Sequence, residues 1–296
     1  MRIFKKTNIN FVGQRRIAAI ISISLIVLGL GSIIFHGGLN LAIDFTGGTE
    51  ALLKFTEPID IGSARQLFSD GGFENFEVVT VGNANEILLR AQYSGNEFKS
   101  QLDQALEGRE YETRRIDLVG PKIGQELSQN ALRAIISALI LILFYIMFRF
   151  DFWYAIGSVA ALIHDILITL GIFSLLNLEI NLVIVAAFLT IVGYSLNDTI
   201  VVYDRIRENI RSHARESLET IVNISLNGTL SRTVITSFTT LLVVTFLLIF
   251  GLGNIILFAF AMTIGVLVGT YSSIFVASPV MIYFENRVGR KLKKKK

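Results

Sequence analysis

The residue best placed to do chemistry is an acid in apolar surroundings. Asp198 lies in the run IVGYSLNDTIVVY (Ile191 to Tyr203), a turn or two before the polar motif of Asp204, Arg205, Arg207, Glu208 and Asn209. At the centre of a hydrocarbon layer a carboxylate costs about 2.5–3.5 kcal/mol on insertion scales, so such a group faces protein, finds a partner or binds a proton. Arg232 heads the following apolar run, Asn197 adjoins the acid, and His164-Asp165 falls inside another run. Desolvation favours the neutral form of a carboxyl group and a nearby arginine favours the charged form. A change in the Asp198–Arg232 distance, or in water access, would therefore bind and release a proton. Two readings stand beside this one. Asp198 and Arg232 form a static ion pair, with Gly193 and Ser195 letting the helices approach, or Arg232 extends its head to the interface. His164-Asp165 also reads as a local structural pair.

These residues need spans to carry them. Of 296 residues 52% are hydrophobic and 17% charged, too oily for an ordinary soluble protein. The apolar residues gather in runs of about twenty, the length that crosses a bilayer core. Six are predicted: Ile17–Phe35, Ala131–Phe148, Trp153–Leu175, Leu182–Tyr203, Val234–Phe250 and Ile255–Phe284. The first follows Arg15 and Arg16 and lacks a small-residue cleavage site, so it reads as a retained anchor.

Between the first two runs the pattern changes. Strands are expected at Thr49–Phe55, Phe73–Val81, Glu86–Gln92 and Tyr111–Val119, with a turn at Gly82-Asn83-Ala84-Asn85. Helices are expected at Ile61–Ser69 and Asn96–Leu106, and this β-α-β-β-α-β order is that of a ferredoxin-like α+β domain. The expected organisation is a mainly α membrane protein: residues 1–36 as N-terminus and first span, 37–128 as the α+β domain, and 129–296 as five spans with a loop at 204–231 and a basic tail.

Lys and Arg orient the spans. Arg2, Lys5, Lys6, Arg15, Arg16, Arg149, Arg205, Arg207, Arg211, Arg215 and the tail KLKKKK share one side, while the loops at 177–179 and 251–254 carry no basic residue. Both termini are thus expected in the cytoplasm, with 37–128 on the periplasmic side. The segment 204–230, with Ile206, Ile210, Ala214, Leu218 and Ile221 at helical spacing, reads either as an amphipathic helix on the inner surface or as a helix packed beneath the bundle.

Enzyme classes find little support. There are no cysteines, and the three histidines have no metal-ligand spacing. Gly193-Tyr194-Ser195 resembles the start of an intramembrane serine protease motif, but Leu196 stands where that motif needs glycine. Gly47-Gly48 lacks the lysine of a phosphate loop. No basic patch interleaved with aromatics suggests nucleic acid.

Three stretches carry a more specific likeness: LNLAIDFTGGT (39–49), VGYSLNDTIVVYDRIREN (192–209) and TLSRTVITSFTT (229–240). With one span, an outer domain and five further spans, the chain resembles the SecF family of the bacterial Sec protein-export machinery, related to the resistance-nodulation-division exporters. The resemblance implies a heterodimer with SecD, association with the SecYEG channel, YajC and YidC as further candidate partners, and contact with translocating preproteins and membrane lipid. It implies use of the proton-motive force for late steps of export across the inner membrane and no bound cofactor, although a carboxylate beside Asn and Ser serves Na⁺ as well as H⁺. The family's membrane aspartate falls on Asp198 and its arginine on Arg232. Its glycine motif falls on Asp44, Phe45, Thr46, Gly47, Gly48 and Thr49, read as a hinge. A small-molecule exporter subunit and a scaffold for SecD are the other functions weighed.

Overall fold

The computed structural model describes residues 7–74, 76–81, 85–93, 95–213 and 215–289. Arg2, Lys5, Lys6, Gly82, Asn83, Ala84, Ala214 and the KLKKKK tail lie outside them. The chain divides into two compact units: Asn40–Arg133 with Glu179–Leu182, and the remaining helical segments.

The first unit is built on four antiparallel strands, β1 (Gly48–Phe55), β2 (Phe76–Thr80), β3 (Glu86–Ala91) and β4 (Tyr111–Val119). The sheet order is β2-β3-β1-β4, so β1 and β2 are separated by β3, the split βαβ of the ferredoxin-like fold. Ala51 sits opposite Leu89 on one side and Ile116 on the other. Alternation sends Ala51, Leu53 and Phe55 into the core. There they meet Phe68 of α3 (Ile61–Asp70) and Phe98 and Leu102 of α4 (Gly95–Ala105). Asp60 caps α3, its carboxylate accepting the amides of Gly62 at 2.9 Å and Ser63 at 3.1 Å. The strand expected from Phe73 starts at Phe76. Phe73 instead turns into the core, edge-on to Phe68 and Phe98.

The unit also takes in Glu179–Leu182, a segment the hydropathy pattern leaves as a bare loop between spans. Ile180 makes a parallel bridge with Leu41. Its amide donates to Asn40 O at 2.8 Å, and its carbonyl accepts from Ala42 N at 2.9 Å.

Among the described residues, six helices are long and apolar enough to cross a membrane. They comprise α1 (Arg15–Phe35), α5 (Pro121–Arg149), α6 (Phe152–Leu175), α7 (Leu182–Ser212), α8 (Leu218–Phe250), and α9 (Asn254–Ser272), which runs through a π-helical segment (Ser273–Ala277) into α10 (Ser278–Phe284). Pro279, at the start of α10, has no amide to donate back to the preceding turn. Helices α1 and α6 cross where Gly29 meets Gly171. A Cβ on Gly29 would stand 2.6 Å from the Gly171 Cα.

The reading of 204–230 as a separate surface helix is corrected. Helix α7 runs on past its apolar segment to Ser212, and α8 already begins at Leu218, where Ser217 caps it through Thr220 N at 3.1 Å. Of the residues that the spacing picks out, Ile206 and Ile221 are buried and Ile210 is exposed, and Ile206 joins Val222, Leu226, Phe150, Tyr154, Tyr203 and Met281 in one core.

Candidate functional site

Asp198 lies in the middle stretch of α7, 2% exposed. Its surroundings are poor in donors. The Thr236 hydroxyl of α8 stands 3.5 Å from Oδ1 but also lies 2.9 Å from Thr233 O and 3.1 Å from Arg232 O, and it has one hydrogen to give. Oδ2 is buried with no hydrogen-bond partner. Arg232 sits one helical turn before Thr236 and is exposed, and among the described residues no ion pair within 4.0 Å joins it to Asp198. Asn197 is exposed, on a different face of α7 from Asp198. The structure thus brings Asp198 and Thr236 together, leaves Arg232 nearby without an ion pair to Asp198, and turns Asn197 away.

Asp165 of α6 is the opposite case. At 1% exposure, its Oδ2 accepts from Ser195 Oγ of α7 at 2.6 Å and from Ser272 Oγ of α9 at 2.8 Å. Oδ1 meets His164 Nδ1 at 2.9 Å. The chain continues from His164 Nε2 to Ser22 Oγ of α1 at 3.0 Å, to Tyr271 OH at 3.0 Å, and ends as Tyr271 donates to Ala18 O at 2.7 Å. Four helices are thus tied through one carboxyl group. Ser22, Ser195, Tyr271 and Ser272 are the members that sequence reading missed as a set. Their signal is hydroxyl side chains inside apolar runs, but which of many such hydroxyls converge depends on how the helices cross.

The glycine motif forms a tight corner. Ile43–Thr46 make one helical turn, α2, and Gly47 and Gly48 follow with φ of 74° and 132°. A Cβ on Gly47 would lie 2.8 Å from the Pro121 Cα, and one on Gly48 would lie 2.8 Å from Ala91 O. Thr49 is fully buried and donates to Tyr93 O at 2.8 Å. Asp44 Oδ2 accepts the amide of Leu182, the first residue of α7, at 2.9 Å. The polar motif at the far end of α7 is also tied down. Asp204 pairs with Arg149 at 3.0 Å, Arg207 donates to Arg149 O at 3.2 Å, and Arg205 pairs with Glu208 at 2.6 Å. Asn209 is buried and donates to Ser225 Oγ at 2.8 Å. A second feature missed in sequence is the docking of the N-terminal segment on α8. Asn223 Oδ1 accepts from Phe11 N at 2.8 Å, and Asn227 exchanges two bonds with the Ile9 backbone.

Comparison with known proteins matches these features to one group. The family model for the C-terminal part of the protein export membrane proteins SecD/SecF matches residues 98–287, and that for the SecD/SecF GG motif matches residues 32–59. The protein translocase subunit SecF of Rhodothermus marinus is 45% identical over 97% of this chain and 96% of its own length. The SecF of Pseudomonas aeruginosa is 40% identical over 93% of this chain and 91% of its own. A crystal structure of SecDF from Thermus thermophilus, described as a translocon-associated membrane protein, superposes with a TM-score of 0.87 at 38% identity. It covers 95% of this chain, which spans 39% of that longer one. Six membrane-length helices, a ferredoxin-like insertion after the first and the double-glycine corner agree with these matches, and the chain belongs to the SecD/SecF family of protein export membrane proteins.

Proposed function

We propose that the chain works as the SecF-type subunit of an inner-membrane protein-export assembly, beside a SecD-type partner and the Sec channel, and that Asp198 couples export to the proton-motive force. The observation that carries the coupling is the state of Asp198: buried, with one oxygen unpartnered and the other facing a donor already engaged elsewhere. A permanent carboxylate there would be costly, and a static bridge would place Arg232 in contact. A proton on Oδ2 meets the cost in one state, and approach of Arg232 or of water meets it in another.

The His164–Asp165 chain supports a second proton site by hydrogen count. Tyr271 gives its hydrogen to Ala18 O, so Ser22 gives its own to Tyr271 and accepts from His164 Nε2. The contact between His164 Nδ1 and Asp165 Oδ1 then needs one further hydrogen. Filling it makes the pair either imidazolium and carboxylate or imidazole and carboxylic acid.

A membrane partner is supported by polar side chains that face outward from α7 and α8, Asn197 and Arg232, which would be expensive against lipid. It is supported too by the longer SecDF relative, of which this chain matches two-fifths. The arginine and lysine distribution supports cytoplasmic termini with the α+β unit outside.

The test is Asp198→Asn, followed by preprotein export with and without an imposed H⁺ or Na⁺ gradient. The variant is expected to insert, to copurify with its partner, and to lose the gradient-dependent part of export. Full gradient stimulation in that variant would sink the coupling role.

A further inference from the structure

The segment Glu179–Leu182 is held to the α+β unit by more than backbone pairing. Glu179 Oε2 is ion-paired with Arg90 of β3. The same guanidinium also holds Glu50 of β1 at 2.5 Å and reaches Glu77 of β2 at 3.5 Å. Arg115 of β4 contributes a second cation at 2.9 Å from Glu50, but it is half exposed and is also paired with Asp117 at 2.6 Å. The Glu179, Glu50 and Arg90 side chains are only 10%, 10% and 14% exposed. Three carboxylates therefore converge on one buried cation, and Glu179 Oε1 is buried with no hydrogen-bond partner.

We propose that Glu179 is the proton-binding site of a latch: taking up a proton fastens the 179–182 strap, and with it the first residue of α7, onto the sheet, and losing the proton loosens it. Protonation removes the third negative charge and leaves a carbonyl oxygen to share Arg90. Burial pushes the Glu179 carboxyl up to about 7 from 4.5, against the pull of Arg90, with Glu50 and Glu77 adding to the rise. A group that binds its proton more tightly in the closed state favours closure as protons are added. The grip is therefore full in acid and is lost as pH rises through about 7. The direction of this response suits a unit on the proton-rich side of an energised membrane. That use rests on the function proposed above, but the latch itself does not.

Amide exchange of the full-length protein in detergent micelles, corrected for the intrinsic pH dependence, reads the latch directly at Ala42, Ile180 and Leu182. In the unsubstituted chain, protection is expected to fall about tenfold between pH 6 and pH 8.5. Glu179→Gln, which carries no titrating proton, is expected to hold the acid-side protection at both values. Glu77→Gln removes one neighbouring charge at a half-exposed position and is expected to move the midpoint to lower pH. The same slope is expected in an Asp198→Asn background, which separates this latch from the membrane carboxylate. Flat protection in the unsubstituted chain, or an unchanged slope in Glu179→Gln, would overturn the proposal.

Discussion

Asp44, the acid of the double-glycine motif, accepts the backbone amide of Leu182 at 2.9 Å and so caps the helix that carries Asp198. The first amides of a helix have no partner within it, and a carboxylate there also meets the positive end of the helix dipole. Asp44→Ala is expected to weaken this cap by about 1 kcal/mol. Exchange at the Leu182 amide should rise roughly fivefold, with Asp44→Asn retaining most of the protection. Equal protection in the alanine variant would remove the cap from the account.

Gly47 and Gly108 offer a controlled comparison, because both have positive φ, 74° and 76°. Only Gly47 is crowded, with the Pro121 Cα 2.8 Å from where a Cβ would stand, whereas nothing lies within 4 Å at Gly108. Gly108→Ala should carry the dihedral cost alone, about 1–2 kcal/mol. Gly47→Ala must also displace backbone. The yield of folded protein after membrane extraction should drop further for Gly47→Ala, and equal yields would show that the corner tolerates a side chain.

Asp165 separates anchoring from proton binding. Asp165→Ala strands the Ser195 hydroxyl and His164 Nδ1 and leaves Ser272 only its longer bond to Gly269 O, at about 1–3 kcal/mol for each buried group left unpaired, so a lowered thermal transition is expected. Asp165→Asn can still accept from both serines and can donate to His164 Nδ1, but it cannot release a proton. It should fold like the parent chain and lose gradient-driven export. An Asn variant with normal export would make the residue an anchor alone.

Exchanging the charges as Asp198→Arg with Arg232→Asp tests the static alternative. No ion pair within 4.0 Å joins the two side chains among the described residues, so recovery of export in the double variant is not expected. Recovery to near the parent rate, after loss in each single variant, would show that pairing is what matters.

Much of this was legible because the bilayer filters sequence severely. Runs such as Trp153–Leu175 must be helices when backbone groups find no water, and α6 follows that run almost to the residue. The α+β unit was legible through alternation in TEALLKF and through the four-residue spacing of Phe98, Leu102 and Leu106. Arg232 shows where this reading stops. Hydropathy places it at the head of a span, yet it lies inside α8, which begins at Leu218. Polar helical turns outside the bilayer look like loop to a hydropathy count.

Asp198 as an acid in a span was determined by the sequence alone, since a carboxylate among apolar residues stands out whatever the fold. So were the six membrane-length helices and the β-α-β-β-α-β order, because periodicity and run length are local properties. The tertiary structure decided which polar groups meet: Asp165 with Ser195, Ser272 and His164, Asp44 with Leu182, and Glu179 with Arg90. Those contacts join residues up to 138 positions apart. They depend on helix crossings and strand register, which set hydrogen-bond distances that no local pattern encodes.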